Sequence, residues 1–476
     1  MATIYHGLTD ASKGRRRLSF ASASKNYSSR MKFSQSSRSG AVSRRKFLEL
    51  GSLALGGLGL SDLLALRDAS AAQGRVKVNT SVILLWLQGG PSQFETYDPK
   101  PEAPVEIRGE FSAISTVVTG MNLCEYLPRH AKVADKFNLV RSLSHDVTDH
   151  PGAAWRFLTG RRPENISELT AKSPSIECVV AKEREFQSSG MPAFVSNERH
   201  QSSKGAAYLG QKYNPFEVLA DPNQIGFKVE NLSLLPELAG RLDDRVKLLK
   251  SLDRFRHDLD RSGALDAADR YDQLAISLVT SERARLAFDI QREPTSVRDR
   301  YGRTEWGQRL LLARRLVDAG CSFVTVELHP WDDHGDSGMI FDNMRNRLPI
   351  FDQALAALIE DVYQRGLDEQ VMIIAAGEFG RTPQLSKRPF PNAKTGRDHW
   401  PSAMSLLVSG GGMRTGQVIG STDSKGSIPI ERPLDPNDFL ATVYRFLGID
   451  VNHAYPDLRG RPMPILPSGQ PIDELL

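Results

Sequence analysis

The chain has 476 residues, with 61 Lys+Arg against 57 Asp+Glu, a formal net charge of +4. Residues 1–71 hold 12 of those basic and 4 of those acidic residues, so the remainder carries 49 and 53 and is mildly acidic, at about −4. That balance excludes a basic nucleic-acid binder. The three cysteines (Cys124, Cys178, Cys321) allow at most one disulfide and form no metal spacing, which excludes a disulfide-stapled scaffold and a cysteine-bound haem or cluster.

In chain order, the first feature is an export signal. Ser43-Arg44-Arg45-Lys46-Phe47-Leu48 is a twin-arginine motif that departs from the usual pattern at Glu49. A Gly/Ala-rich apolar run, Leu50 to Leu66, follows, and Ala69-Ser70-Ala71 is a small-residue cleavage pattern. The expectation is cleavage after Ala71, with the twin-arginine translocase and signal peptidase as partners and a periplasmic or extracellular destination. The run is too short and too Gly-rich for a stable membrane span. Residues 1–40, rich in Ser, Arg and Lys, read as a long basic leader or as a start placed too far upstream.

The remaining chain, about 405 residues, suffices for one large α/β domain. Thr80 to Leu87 is a continuous apolar run stopped by Gly89-Gly90-Pro91, which predicts a buried parallel strand. Further strands are predicted at Asn138–Arg141 and Pro192–Ser196. Residues 235–290 are charged and helical in period, which predicts a helical insertion or cover. A helix over Thr304–Ala319, stopped by Gly320, precedes a strand at Ser322–Leu328. A helix over Phe341–Gln364, strands at Gln370–Ala376 and Ser405–Val408, and a last helix over Asn437–Leu447 complete the pattern. Alternating helix and strand predicts a doubly wound sheet.

Histidines and carboxylates gather just beyond three of these strands. The first group is His145, Asp146, Asp149 and His150; the second is His329, Asp332, Asp333, His334 and Asp336; the third is Glu378 with Asp398 and His399. Imidazole plus carboxylate from separate strand ends suits a divalent cation and acid–base work alike. Arg141, Arg156, Arg161, Arg162, Arg381 and Arg397 lie in or beside these groups, where they either fork a tetrahedral oxyanion or pair with the neighbouring aspartates. Gly89-Gly90 either offers backbone N–H groups to an anion or makes a tight turn.

"WLQGGPSQFETYDPKP" (86–101), "YGRTEWGQRLLLARRLVDAG" (301–320), "WDDHGD" (331–336), "GEFGRTP" (377–383) and "GRDHWP" (396–401) resemble the domain-of-unknown-function 1501 family. The resemblance covers nearly the whole chain after the leader. It implies a twin-arginine-exported protein of the alkaline phosphatase and sulfatase superfamily, with a three-layer fold, a central mostly parallel sheet and a helical insertion. In the sulfatase frame, Thr159-Gly160-Arg161 lies at the expected distance from the nucleophile position, which falls on His150. The Ser and Arg that should follow are Ala153 and Ala154.

Two readings follow. In one, the chain is a re-tooled hydrolase of phosphate or sulfate esters, on a small-molecule or glycan substrate. Asp332, His334, Glu378 and His399 would then hold one or two divalent ions (zinc, calcium or manganese), with Glu95 or Asp98 from the first loop. His150, His145, Asp149 and Arg381 would be the catalytic candidates. In the other, it is an exported binding or scaffold protein with a degenerate site.

Overall fold

The computed structural model describes residues 80–163, 172–185, 190–199, 204–229, 281–336, 338–389 and 391–476. The leader, the cleavage pattern and most of the predicted helical cover (235–280 of 235–290) lie outside them. Among the described residues no helix is long and apolar enough to cross a membrane.

Eight strands form the central sheet: β1 (Ser81–Leu87), β2 (Phe137–Leu143), β3 (Phe194–Ser196), β4 (Phe216–Glu217), β5 (Phe323–Leu328), β6 (Val371–Ala376), β7 (Met404–Gly410) and β8 (Val418–Ile419). Their order across the sheet is β8-β2-β7-β6-β1-β5-β3-β4. β7 alone runs antiparallel to its neighbours, β2 and β6; the other pairs are parallel. The alternating α/β reading and the mostly parallel sheet are therefore borne out.

β1 shows why the sheet sits at the centre. Every residue from Ser81 to Leu87 is buried, and successive side chains point to opposite faces. Ile83, Leu85 and Leu87 join one core with Leu310 and Leu311 of α3 (Glu305–Asp318) and Phe351 and Leu355 of α4 (Ile340–Gln364). Val82, Leu84 and Trp86 join the other, with Phe157 and Leu158 of α1 (His150–Thr159), Val179 of α2 (Ile176–Glu183) and Leu440 of α5 (Pro436–Leu447). Burying one such side chain is worth about 1.5–3 kcal/mol, so a strand fed by both layers anchors three layers at once.

Local signals set the helix ends. The Thr304 side chain accepts from Gly307 N, so α3 begins one residue later than the periodicity suggested. Asp435 makes a reciprocal capping box with Asp438 at the start of α5. α2, and the four-stranded spread of β2, β7, β6 and β1 built around an antiparallel member, were not legible from the pattern. All three cysteines are buried and free.

The register carries the consequence for the site. Leu87 lies opposite Leu328, and Trp86 opposite Ala376. Thus the segments after β1, β5 and β6 leave the carboxyl edge side by side, where open α/β sheets place their ligands.

Candidate metal centre

Four side chains converge at that edge: His150, Asp332, His334 and His399 each offer one ligand atom, and those atoms all lie within 4.8 Å of one another. His150 opens α1, positioned by Asp149, whose side chain caps the helix by accepting from Gly152 N at 2.8 Å. Asp332 and His334 come from the segment after β5. His399 is held by a two-residue ribbon in which it pairs with Arg381 and Trp400 with Gly380.

The imidazoles share one orientation. His150 Nδ1 lies 2.6 Å from Glu378 Oε1, His334 Nδ1 lies 2.7 Å from Asp398 Oδ1, and His399 Nδ1 lies 2.6 Å from the Thr148 carbonyl. For His150 and His399 the acceptor at Nδ1 takes that hydrogen, so Nε2 offers a lone pair when the ring is neutral. (His334 Nδ1 lies between Asp398 Oδ1 and the Arg388 Nη2 donor, 2.5 Å away, so its tautomer follows whichever of the two it engages.) All three Nε2 atoms turn toward Asp332, at 2.8 Å from Oδ1 for His334, 3.3 Å from Oδ1 for His399 and 3.3 Å from Oδ2 for His150. The Nε2 atoms of His334 and His399 are 2.9 Å apart.

Ring nitrogens and a carboxylate so close repel one another unless hydrogens or a metal ion lie among them. A zinc ion about 2.0–2.2 Å from each of four ligands sets their atoms roughly 3.3–3.6 Å apart. The observed separations, from 2.8 Å up to 4.8 Å, lie on either side of that range, so the residues present can hold a metal once their side chains shift by a few tenths of an ångström or more.

The electrostatics agree with a cation-demanding cluster. Burial opposes ionisation of Asp332, but hydrogen bonds from His150, His334 and His399 and the Arg381 charge outweigh it and hold the carboxyl far below the usual range. Burial likewise disfavours the charged form of His150, yet hydrogen bonds to Asp332 and Glu378 raise it to about 9. In His145 burial prevails and lowers the pKa.

Several candidate residues occupy other roles. Glu378 is fully buried and stands behind His150: its Oε1 takes the His150 contact and the Gly89 N–H at 2.9 Å, while Oε2 has no partner. His145 accepts from Val147 N and places Nε2 2.6 Å from the Glu378 carbonyl, which fixes the backbone under Glu378. Glu95 and Asp98 are not brought to the cluster. Glu95 is sealed in an ion pair with buried Arg397 at 2.7 Å, and Asp98 accepts from Thr422 Oγ1 at 2.5 Å and faces Lys100 at 3.1 Å.

Arg381 is fully buried and not free to fork an oxyanion. Its Nε donates to Gly90 O at 2.9 Å, Nη1 to Arg397 O at 2.9 Å, and Nη2 to Asp332 Oδ1 at 2.5 Å and to Gly89 O. The other arginines are also engaged: Arg141 by the Tyr97 and Asn122 carbonyls, Arg156 by Asn437 and Asp435, Arg161 by Pro464 O and Arg162 by Asp146. Gly89 and Gly90 make a tight turn. Both have positive φ, and a Cβ on Gly89 would lie 2.5 Å from Asp332 N. Thr159-Gly160-Arg161 is the C-terminal cap of α1, with Gly160 left-handed, one helix length of about 15 Å from His150.

Two residues that sequence reasoning missed, Glu198 and Glu327, lie on the open side. Asp332 (41% exposed) and His150 (27%) face a cleft of about 410 Å³ that Gln88, Glu198, Glu327 and His329 also line. Glu327 left a signal, being the one charge in the otherwise apolar strand "FVTVEL". Glu198 left none.

Among solved structures, the fold is similar to a sulfatase from Pseudoalteromonas sp. (14% identity, TM-score 0.37, covering 81% of this chain and 70% of that one). It is also similar to a phosphonate monoester hydrolase from Silicibacter pomeroyi (11%, 0.34, 83% and 78%) and a lipoteichoic acid synthase from Listeria monocytogenes (9%, 0.33, 80% and 74%). Likeness at that level says nothing of this site's chemistry. No curated protein matches the chain. The model of the family described as "Protein of unknown function (DUF1501)" matches residues 79–476, and the chain belongs to that family.

Proposed function

We propose that the chain is an exported, metal-dependent hydrolase of phosphate or sulfate esters. The observation that carries this reading is the set of three Nε2 atoms and one carboxylate turned on a common point, each imidazole held from behind by a partner at Nδ1. Three nitrogens and one oxygen suit zinc or another borderline first-row dication; calcium, which takes six to eight oxygens, does not fit this donor set. When bound, such an ion would lower the pKa of a water and draw charge from an ester oxygen.

The chain's own residues supply the rest. Glu378, Asp398 and the Thr148 carbonyl hold the rings, and Phe379 packs its ring 4.4 Å from His399 and 5.1 Å from His150, which keeps water off that side. His150, turned into the ligand group, is not free to act as a covalent nucleophile. The attacking oxygen in this reading is that of a water molecule. Substrate enters from the cleft side, where Asp332 and His150 are exposed.

The test is metal content and turnover on the full chain. About one equivalent of metal, with aryl phosphate or aryl sulfate hydrolysis that is lost on chelation and restored by zinc or manganese, supports the reading. Metal-free protein that stays inert toward both esters across added ions refutes it. Export is tested separately: residues 1–71 fused to a reporter should carry it out of the cytoplasm, and replacing Arg44 and Arg45 by Lys should retain it.

A further inference from the structure

The cleft beside the ligand group is rich in acceptors. Glu198 holds His329 Nε2 at 2.9 Å, and both side chains are partly exposed. Glu327 is paired with Lys204 at 2.8 Å, and the same ammonium reaches Gln88 Oε1 at 3.2 Å, so the nearest lysine is already engaged. The arginines around the cluster are engaged as well, by the partners described above.

Glu198 and Glu327 have a second face, beside Lys204. With Glu177 and Thr325 they line a smaller cavity of about 30 Å³. Glu177 and Thr325 are both buried, and neither Glu177 Oε2 nor Thr325 Oγ1 has a hydrogen-bond partner. A buried acceptor left unpaired costs on the order of 1–3 kcal/mol, which a donor entering from outside would relieve. The volume admits one water-sized group, such as a hydroxyl or an ammonium. Arg199, exposed and next to Glu198, lines the same cavity and is the group that an anion would seek.

We propose that the cleft and the adjoining cavity recognise the alcohol portion of the substrate through hydroxyl or ammonium donors, and disfavour a second negative charge there because the lining carboxyls (Glu177, Glu198, Glu327, Asp332) outnumber the Lys204 and Arg199 cations. That the alcohol belongs to an ester rests on the hydrolase reading; the pocket itself does not.

The test is binding to the full folded chain, followed by calorimetry or ligand-observed NMR, with methyl glucoside, ethanolamine and glucuronate as probes. The glucoside or ethanolamine should bind at least tenfold more tightly than glucuronate, and whichever of the two binds identifies the donor. Glu198→Gln should weaken that binding about tenfold without changing metal stoichiometry, and Glu177→Gln should do the same if it folds. Glucuronate binding as well as the others, no binding of either donor at millimolar concentration, or an unchanged affinity in Glu198→Gln would each overturn the proposal. Glucoside binding without hydrolysis of any ester would sink the hydrolase reading and leave the pocket standing. Aryl ester hydrolysis indifferent to all three probes would sink the pocket alone.

Discussion

Metal binding to this chain should expel a proton from His150. The imidazole carries its proton up to about pH 9, because Asp332 and Glu378 hold it from either side more strongly than burial opposes it. A cation at Nε2 needs the neutral ring, so below that value each pH unit costs about 1.4 kcal/mol, or tenfold in affinity. Zinc affinity at pH 7 should therefore be roughly a hundredfold below that at pH 9, with about one proton released per ion. Calorimetry in two buffers of different ionisation enthalpy counts that proton directly, and His150→Asn should flatten the dependence. Equal affinity at pH 7 and pH 8.5 with no proton released would refute the assignment of His150 to the ligand group.

The same shift makes the metal-free chain respond to pH in the opposite direction. A folded pKa of about 9 against an unfolded value of about 6.5 gives stability that is fully present below pH 6.5 and lost as pH rises through 9. Since His150 is partly solvated, about 2 kcal/mol is the expected size, seen as a falling melting temperature of chelated protein over that window. Asp398→Asn removes the carboxylate behind His334 and should weaken metal binding about 10–100-fold in a competition titration, with little change in folding. Glu95→Gln should do the reverse, because it leaves Arg397 charged and buried: about 3–5 kcal/mol of stability lost in denaturant unfolding, with metal stoichiometry unchanged. Gly89→Ala drives a Cβ into the backbone at Asp332 and should lower both stability and metal affinity; unaltered binding would show that the loop yields freely.

The sheet was legible because its signal is local. "SVILLWL" is buried on both faces and could be little else than a central strand. The helices around it carried their own caps, Thr304 for α3 and Asp435 for α5. The histidines and acids of the site could be collected as strand-end residues, but their division of labour could not. Glu378 and His150 both sit in polar clusters, and only the packing of α1 against the segment after β6 decides that the imidazole faces Asp332 while the carboxylate stands behind it. Arginines posed the same difficulty in another form. Beside the site they read equally as oxyanion forks and as braces, and the choice depended on carbonyls from segments up to 303 positions away. The placement of Glu95 with Arg397, 302 positions apart, is a long-range pairing with no local trace.

The Arg381 guanidinium touches the turn after β1 at Gly89 and Gly90, the segment after β5 at Asp332, and the approach to the ribbon at Arg397. Three loops that are far apart along the chain thereby share one rigid planar bracket, whose donors point in fixed directions. A lysine there, with its charge at a single point, could brace one of them but not all three. The loops cannot drift one at a time: a disturbance at any of them is passed to the others through a single side chain. The cluster should therefore assemble and come apart as a unit, and a defect in the turn at Gly89 should be felt at His399 on the other side.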